Sequence, residues 1–168
     1  LGGEGPLAVA VTRLTDQKGI DLLLPLLDYL ETLPLRLAVL GAGDADLADA
    51  LAAAAARYPR QVAVVNGYDE ALAHRLFAAG DLALVPSRFE PCGLTQMQAL
   101  RYGTLPVVTA VGGLRDTVVD LDAEPASGTG WVAPRADSLA VLDALHRAAR
   151  GWRDPSLRRQ AQRRGMDH

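Results

Sequence analysis

Cysteine, lysine and long apolar runs are almost absent from this sequence, and each shortage excludes something. The single cysteine, Cys92, cannot close an internal disulfide, which points to a reducing compartment. No uninterrupted apolar run approaches the roughly 18 residues of a membrane span, and no basic n-region precedes a signal-like segment. The net charge of -3 leaves no broad basic field for nucleic acid. Neither a Gly-x-x-x-x-Gly-Lys-[Ser/Thr] loop nor a Gly-x-Ser-x-Gly elbow occurs, so nucleoside triphosphatase and serine hydrolase chemistry lack support. The histidines His74, His146 and His168 stand apart from any second ligand type, which argues against zinc. All but one of the 17 basic residues are arginine. A lone surviving lysine, Lys18, in so arginine-rich a chain points to a task that needs a compact ammonium.

What is present is globular: 168 residues, 49% hydrophobic and 22% charged. That length suits one domain able to bury about two thirds of its unfolded surface. The chain begins at Leu1 and not at Met, so an excised piece of a longer protein is one expectation. Strand-like runs at 7–13, 35–40, 61–66, 81–85, 105–109 and 130–133 alternate with helical patterns. Those helices are expected at 19–33, 44–58, 70–79, about 94–102 and 137–149, with Pro25 near the first turn of the one that starts at Gly19 or bending it. Such alternation implies an α/β fold, a doubly wound Rossmann-like parallel sheet of about six strands with helices on both faces. The expected strand order is 3-2-1-4-5-6, with the ligand site outside the carboxyl ends of the strands near the switch between strands 1 and 4.

The strand ends are therefore where chemistry is expected. After strand 1, Arg13 and Lys18 flank a loop that Gly19 lets turn into the helix. Either both cations converge on an anion above the sheet, or the loop is solvated. Gly41-Ala42-Gly43 does not make a dinucleotide fingerprint, because Asp46 occupies the third glycine position and the motif follows the second strand. A plain helix entry capped by Asp44 accounts for it better. After strand 3, Tyr68 stands beside the crevice, either to stack on a nucleobase or to lie on the surface. After strand 4, Pro91 biases Glu90 towards an extended conformation, so the carboxylate should project from its loop. Gly93 permits close ligand approach, and the amides of Gly93, Leu94 and Thr95 open a helix, the usual recipe for a phosphate site. A carboxylate beside a phosphate cradle makes sense if it binds something attached to the phosphate, such as sugar hydroxyls; pairing with Arg88 is the alternative. Cys92 reads as a wall residue rather than a nucleophile. After strand 5, amides of the Gly112-Gly113 turn are placed to face the same crevice. Arg158, Arg159, Arg163 and Arg164 read as a solvated helix face.

The runs Ser87–Gln96, Tyr102–Pro106 and Gly112–Val118, with the opening Thr12–Gly19, closely resemble bacterial glycogen synthase and plant starch synthase. These are retaining glucosyltransferases of the two-domain GT-B architecture, and the chain resembles only their carboxyl-terminal, nucleotide-sugar-binding domain, across residues 1–168. The resemblance implies transfer of glucose from ADP-glucose to the non-reducing end of an α-1,4-glucan, with release of ADP. It assigns Arg13 and Lys18 to the diphosphate, Glu90 to the glucosyl unit, Tyr68 to adenine, and Cys92, Gly93, Leu94 and Thr95 to the wall and amides around phosphate and ribose. Glu90, Arg13 and Lys18 are thus the expected catalytic residues, with no metal, no cofactor, no nucleic-acid or membrane partner, and a bacterial cytoplasmic setting.

Three departures from the family pattern qualify this. Gln98 occupies the position where related transferases carry a second glutamate for the ribose. The amino-terminal Lys-x-Gly-Gly loop and the acceptor domain are absent, and a closing helix beyond Trp152–Pro155 that returns to that domain is also expected to be missing. The isolated chain is therefore expected to bind ADP or ADP-glucose without turnover. Another GT-B enzyme (a sucrose or trehalose-phosphate synthase type, or an epimerase) and a non-catalytic carbohydrate-binding module remain as alternatives. The latter requires a row of exposed aromatics that two distant tryptophans do not supply.

Overall fold

A computed structural model describes residues 1–30 and 32–167. Glu31, inside the helix expected from Gly19, and His168, the third histidine, lie outside the described residues. Six parallel strands form one sheet: β1 (Leu7–Val11), β2 (Arg36–Gly41), β3 (Val62–Asn66), β4 (Leu82–Val85), β5 (Leu105–Thr109) and β6 (Trp131–Ala133). Their order is β3-β2-β1-β4-β5-β6, the doubly wound arrangement expected from the sequence. The helices are α1 (Ala45–Arg57), α2 (Glu70–Ala79), α3 (Thr95–Arg101), α4 (Gly112–Thr117), α5 (Ser138–Trp152) and α6 (Pro155–Asp167). None of the helices in the described residues is long and apolar enough to cross a membrane.

Side chains alternate across the sheet as the two-residue period of a strand requires. Ala8, Ala10, Leu37, Val39, Leu82, Leu84, Leu105 and Val107 join the larger core beneath α1 and α5. Val9, Ala38 and Ala83 point the other way, where small side chains let Phe77 of α2 and Ala99 of α3 come close. Three helices begin on aspartate caps that accept from a main-chain amide: Asp44 from Leu47 (3.1 Å), Asp69 from Leu72 (2.8 Å) and Asp137 from Ala140 (2.8 Å). Each such cap contributes about 1 kcal/mol.

One segment differs from expectation. Ile20–Tyr29 winds as a ten-residue 3-10 helix instead of an amphipathic α-helix running from Gly19 to Leu33, and Pro25 sits in its middle rather than its first turn. Proline has no N–H for an α-type bond, and its ring would strike the carbonyl four residues back. The tighter i→i-3 winding still buries Leu22, Leu23, Leu26 and Leu27. The helix expected to carry the carboxyl-terminal arginines is α6, which packs on α3 within this domain, with Gly165 against the Leu100 side chain.

Candidate active site

β1 and β4 are neighbours at the point where the strand order reverses, so the loops that leave their carboxyl ends run side by side. Gly19 makes the closest approach possible. Its φ of +67° is left-handed, and a Cβ there would lie 1.9 Å from the Pro86 carbonyl oxygen. Arg88 fastens the same seam from the β4 side: its guanidinium donates to both Asp21 carboxylate oxygens at 2.7 Å and to the Asp16 carbonyl at 2.7 Å. Its amide donates to the Gln17 carbonyl at 2.9 Å. The Arg88 hydrogen bonds hold the Asp21 carboxyl below the usual carboxylate range against the opposing effect of burial, and Asp21 in turn raises Arg88. Arg88 is thus spent on Asp21, and the alternative pairing of Arg88 with Glu90 is ruled out.

Glu90 pairs with Lys18 instead. The Lys18 ammonium donates to Glu90 Oε2, and the Ser87 hydroxyl lies 3.4 Å from the same oxygen. The two charged side chains are only 17% and 12% exposed. Glu90 stays out of the following helix, as Pro91 leads one to expect, but it folds back under Lys18 rather than projecting from the loop. A compact ammonium suits this half-buried slot, which rationalises a lysine in an otherwise all-arginine chain.

Lys18 and Thr95, the first residue of α3, line one small cavity together with Val11, Thr12 and Ser87. At that helix start Gly93 is left-handed, with φ +71°. The amides of Gly93 and Leu94 find no acceptor among the described residues, so they remain available to an anion. Val11 and Thr12 also belong to the adjoining cleft of about 320 Å³ above β1, β2 and β3, whose walls include Arg13 and Tyr68. Tyr68 is 89% exposed, and Arg13 forms no ion pair among the described residues. The Lys18 ammonium, the Arg13 guanidinium and the Tyr68 ring therefore line two adjoining cavities at the switch point, with Glu90 bonded to Lys18 and the free amides of Gly93 and Leu94 leading into Thr95.

Other expectations are revised. The Gly113 amide does not face the crevice but donates to the Glu90 carbonyl at 2.9 Å, and Cβ atoms on Gly112 or Gly113 would strike the Glu90 and Cys92 carbonyls. The glycine turn is a buttress for the Glu90 loop. Cys92 is exposed in the Glu90 loop, and His74 is engaged with Tyr102. The arginine-rich helix α6 is only partly a solvated face: Arg158 lies 5.1 Å over the Trp152 ring, and Arg164 donates to the Gly128 carbonyl at 2.8 Å, while Arg159 and Arg163 stay exposed. Trp131 is buried and Trp152 half-buried, so neither tryptophan is displayed for binding. Sequence reasoning also missed a second charged cluster, away from the site. Arg147 of α5 donates to Asp120, Asp122 and Asp143 and to the Val132 carbonyl. Burial pushes Asp120 up, yet Arg147 and the Val132 amide outweigh it and hold the carboxyl below its ordinary value.

Residues 1–166 match the family described as "Glycosyl transferases group 1". A glycogen synthase from Halorhodospira halophila is 54% identical over 164 residues, 98% of this chain and 34% of that protein. The catalytic domain of starch synthase IV from Arabidopsis thaliana, solved bound to ADP and acarbose, superposes with a TM-score of 0.88 at 32% identity, covering 98% of this chain and 35% of that one. A sucrose-phosphate synthase from Thermosynechococcus elongatus gives a TM-score of 0.75 at 27% identity, covering 99% and 41%. The chain spans about a third of the length of the curated relatives it matches.

Proposed function

The chain belongs to the group 1 glycosyl transferases, and from that premise we propose that it is the donor-binding, carboxyl-terminal domain of a glycogen synthase. The reaction would move glucose from ADP-glucose to the non-reducing end of an α-1,4-glucan with retention, releasing ADP in the bacterial cytoplasm. The acceptor would be held by a domain in the remainder of the protein. The observation that carries the reading is the meeting of Lys18, Glu90 and the α3 start within one seam of the switch point.

In this reading the diphosphate lies between Lys18 and Arg13 with its oxygens on the Gly93–Thr95 amides, and adenine reaches Tyr68. As the bond from sugar to phosphate breaks, negative charge grows on the departing diphosphate. Preorganised cations and amides stabilise that charge without reorganising, and losing one such donor costs on the order of 100–1,000-fold in rate. The diphosphate competes with Glu90 for Lys18, and that exchange frees the carboxylate to meet hexose hydroxyls and the positive charge developing on the ring. Cys92 forms the rim beside them. The similarity to the starch synthase domain bound to ADP supports adenine over other bases.

Calorimetric titration of the chain with ADP, UDP and GDP tests this. ADP should bind most tightly. A preference for UDP or GDP would move the assignment to another two-domain transferase, and no binding at millimolar nucleotide would refute a donor site. Glucose transfer by this chain alone would contradict the placement of the acceptor site in another domain.

A further inference from the structure

Gln96 has no assigned role, yet it is completely buried, at 0% exposure, as the second residue of α3. Its Nε2 donates to Thr117 Oγ1 at 2.9 Å, and that hydroxyl donates to the Gly113 carbonyl at 2.6 Å. Gly113 in turn donates through its amide to the Glu90 carbonyl at 2.9 Å. A hydrogen-bonded relay therefore runs from α3 through α4 to the main chain of Glu90. The same side chain is the floor under Gly93: a Cβ there would fall 2.5 Å from Gln96 Nε2 and 2.6 Å from Oε1. Oε1 is buried and has no donor among the described residues. Leaving a buried acceptor unpaired costs folding free energy that an apolar side chain of similar volume would not. A position selected for stability alone would favour that apolar side chain.

We infer that Gln96 is a positioning residue of the donor site, setting the Gly93 turn directly and the Glu90 loop through Thr117 and Gly113. The inference rests on the donor-site reading for its consequence, and on the relay alone for its structural content. Gly113 is held at its carbonyl by Thr117 and at its amide by the Glu90 carbonyl, so a displacement at the first contact shifts the donor at the second.

The test uses this chain with Gln96→Met, Thr117→Val and Thr117→Ser. Gln96→Met should keep or raise the melting temperature, because it removes the unpaired acceptor and leaves Thr117 still bonded to Gly113. It should weaken ADP binding roughly tenfold, the low end of what losing a group that orients a binding residue costs. It should also speed hydrogen exchange of the Gly113 amide, measured without nucleotide. Thr117→Val should weaken ADP binding to a similar extent, combining with Gln96→Met should add little, and Thr117→Ser, which keeps the hydroxyl, should bind as the parent does. A lower melting temperature with unchanged ADP affinity would mark Gln96 as merely structural and overturn the inference, as would unchanged Gly113 exchange. Failure of the parent chain to bind ADP would instead sink the donor-site reading, while the exchange measurement still decides the relay. Should Gln96→Met fail to fold, the contrast between Thr117→Val and Thr117→Ser decides it.

Discussion

Replacing Lys18 with methionine removes the ammonium but keeps an unbranched apolar stem, leaving Glu90 beside a single hydroxyl contact at 3.4 Å. The cost lies between two limits. Exposed ion pairs are worth about 0.2–1 kcal/mol, whereas stripping one partner from a fully buried pair costs about 3–5 kcal/mol. Side chains 17% and 12% exposed fall between these, and about 2 kcal/mol is the expected loss. In a domain of this size each kcal/mol moves the melting temperature by about 2–4 °C, so Lys18→Met should melt about 4–8 °C lower. Adding Glu90→Gln removes the stranded charge and should recover at least half of that. ADP affinity should behave differently. A hydrogen bond to a charged group is worth about 1.5–3 kcal/mol, so Lys18→Met should lose about 10–100-fold in affinity, and the double variant should stay impaired. Differential scanning calorimetry with parallel titration calorimetry separates the two effects. An unchanged melting temperature in the single variant would refute the ion-pair argument, and recovery of ADP affinity in the double variant would refute the diphosphate role.

Three further outcomes follow from the same geometry. Gly93→Ala places a side chain at φ +71° and against Gln96, at a cost of about 1–2 kcal/mol for the left-handed backbone alone, and should abolish ADP binding measured by titration calorimetry. Tyr68→Ala, at an 89% exposed position, should leave the melting temperature unchanged and weaken ADP while sparing inorganic pyrophosphate; equal losses for both ligands would count against stacking on the base. Arg147→Met should cost about 3 kcal/mol near neutral pH by stranding Asp120. Because the folded Asp120 carboxyl titrates below its ordinary value of 3.8, the stability it contributes is complete above that value and is lost as pH falls through the lowered one. Denaturation at about pH 7 and about pH 3 should therefore show a smaller penalty for the variant in acid.

The sheet was readable because each strand is a short apolar run between turn residues, and the chirality of crossovers leaves few ways to order six of them. The positions of Lys18, Glu90, Gly93 and Tyr68 followed from the rule that ligands sit beyond the carboxyl ends at a switch point. Their partners did not. That Glu90 pairs with Lys18 while Arg88 turns to Asp21 depends on how two loops 67 or more residues apart settle together, and no local spacing encodes that. Gly112-Gly113 reads as a turn from sequence, but whether the Gly113 amide points to the crevice or to the Glu90 carbonyl is a tertiary outcome. Gln96 looked like an ordinary helix residue, and only its complete burial distinguishes it. Pro25 did carry a local warning, a ring that an α-helix interior does not tolerate, and the 3-10 winding is its consequence.

The central claim is that one pyrophosphate-bearing nucleotide sits on the α3 start between Arg13 and Lys18. A titration of 15N-labelled chain with ADP addresses it most directly. The amides of Gly93, Leu94 and Thr95 should move together and saturate with a single affinity, with Tyr68 shifting in step. Unmoved resonances at those three positions under millimolar ADP would contradict it.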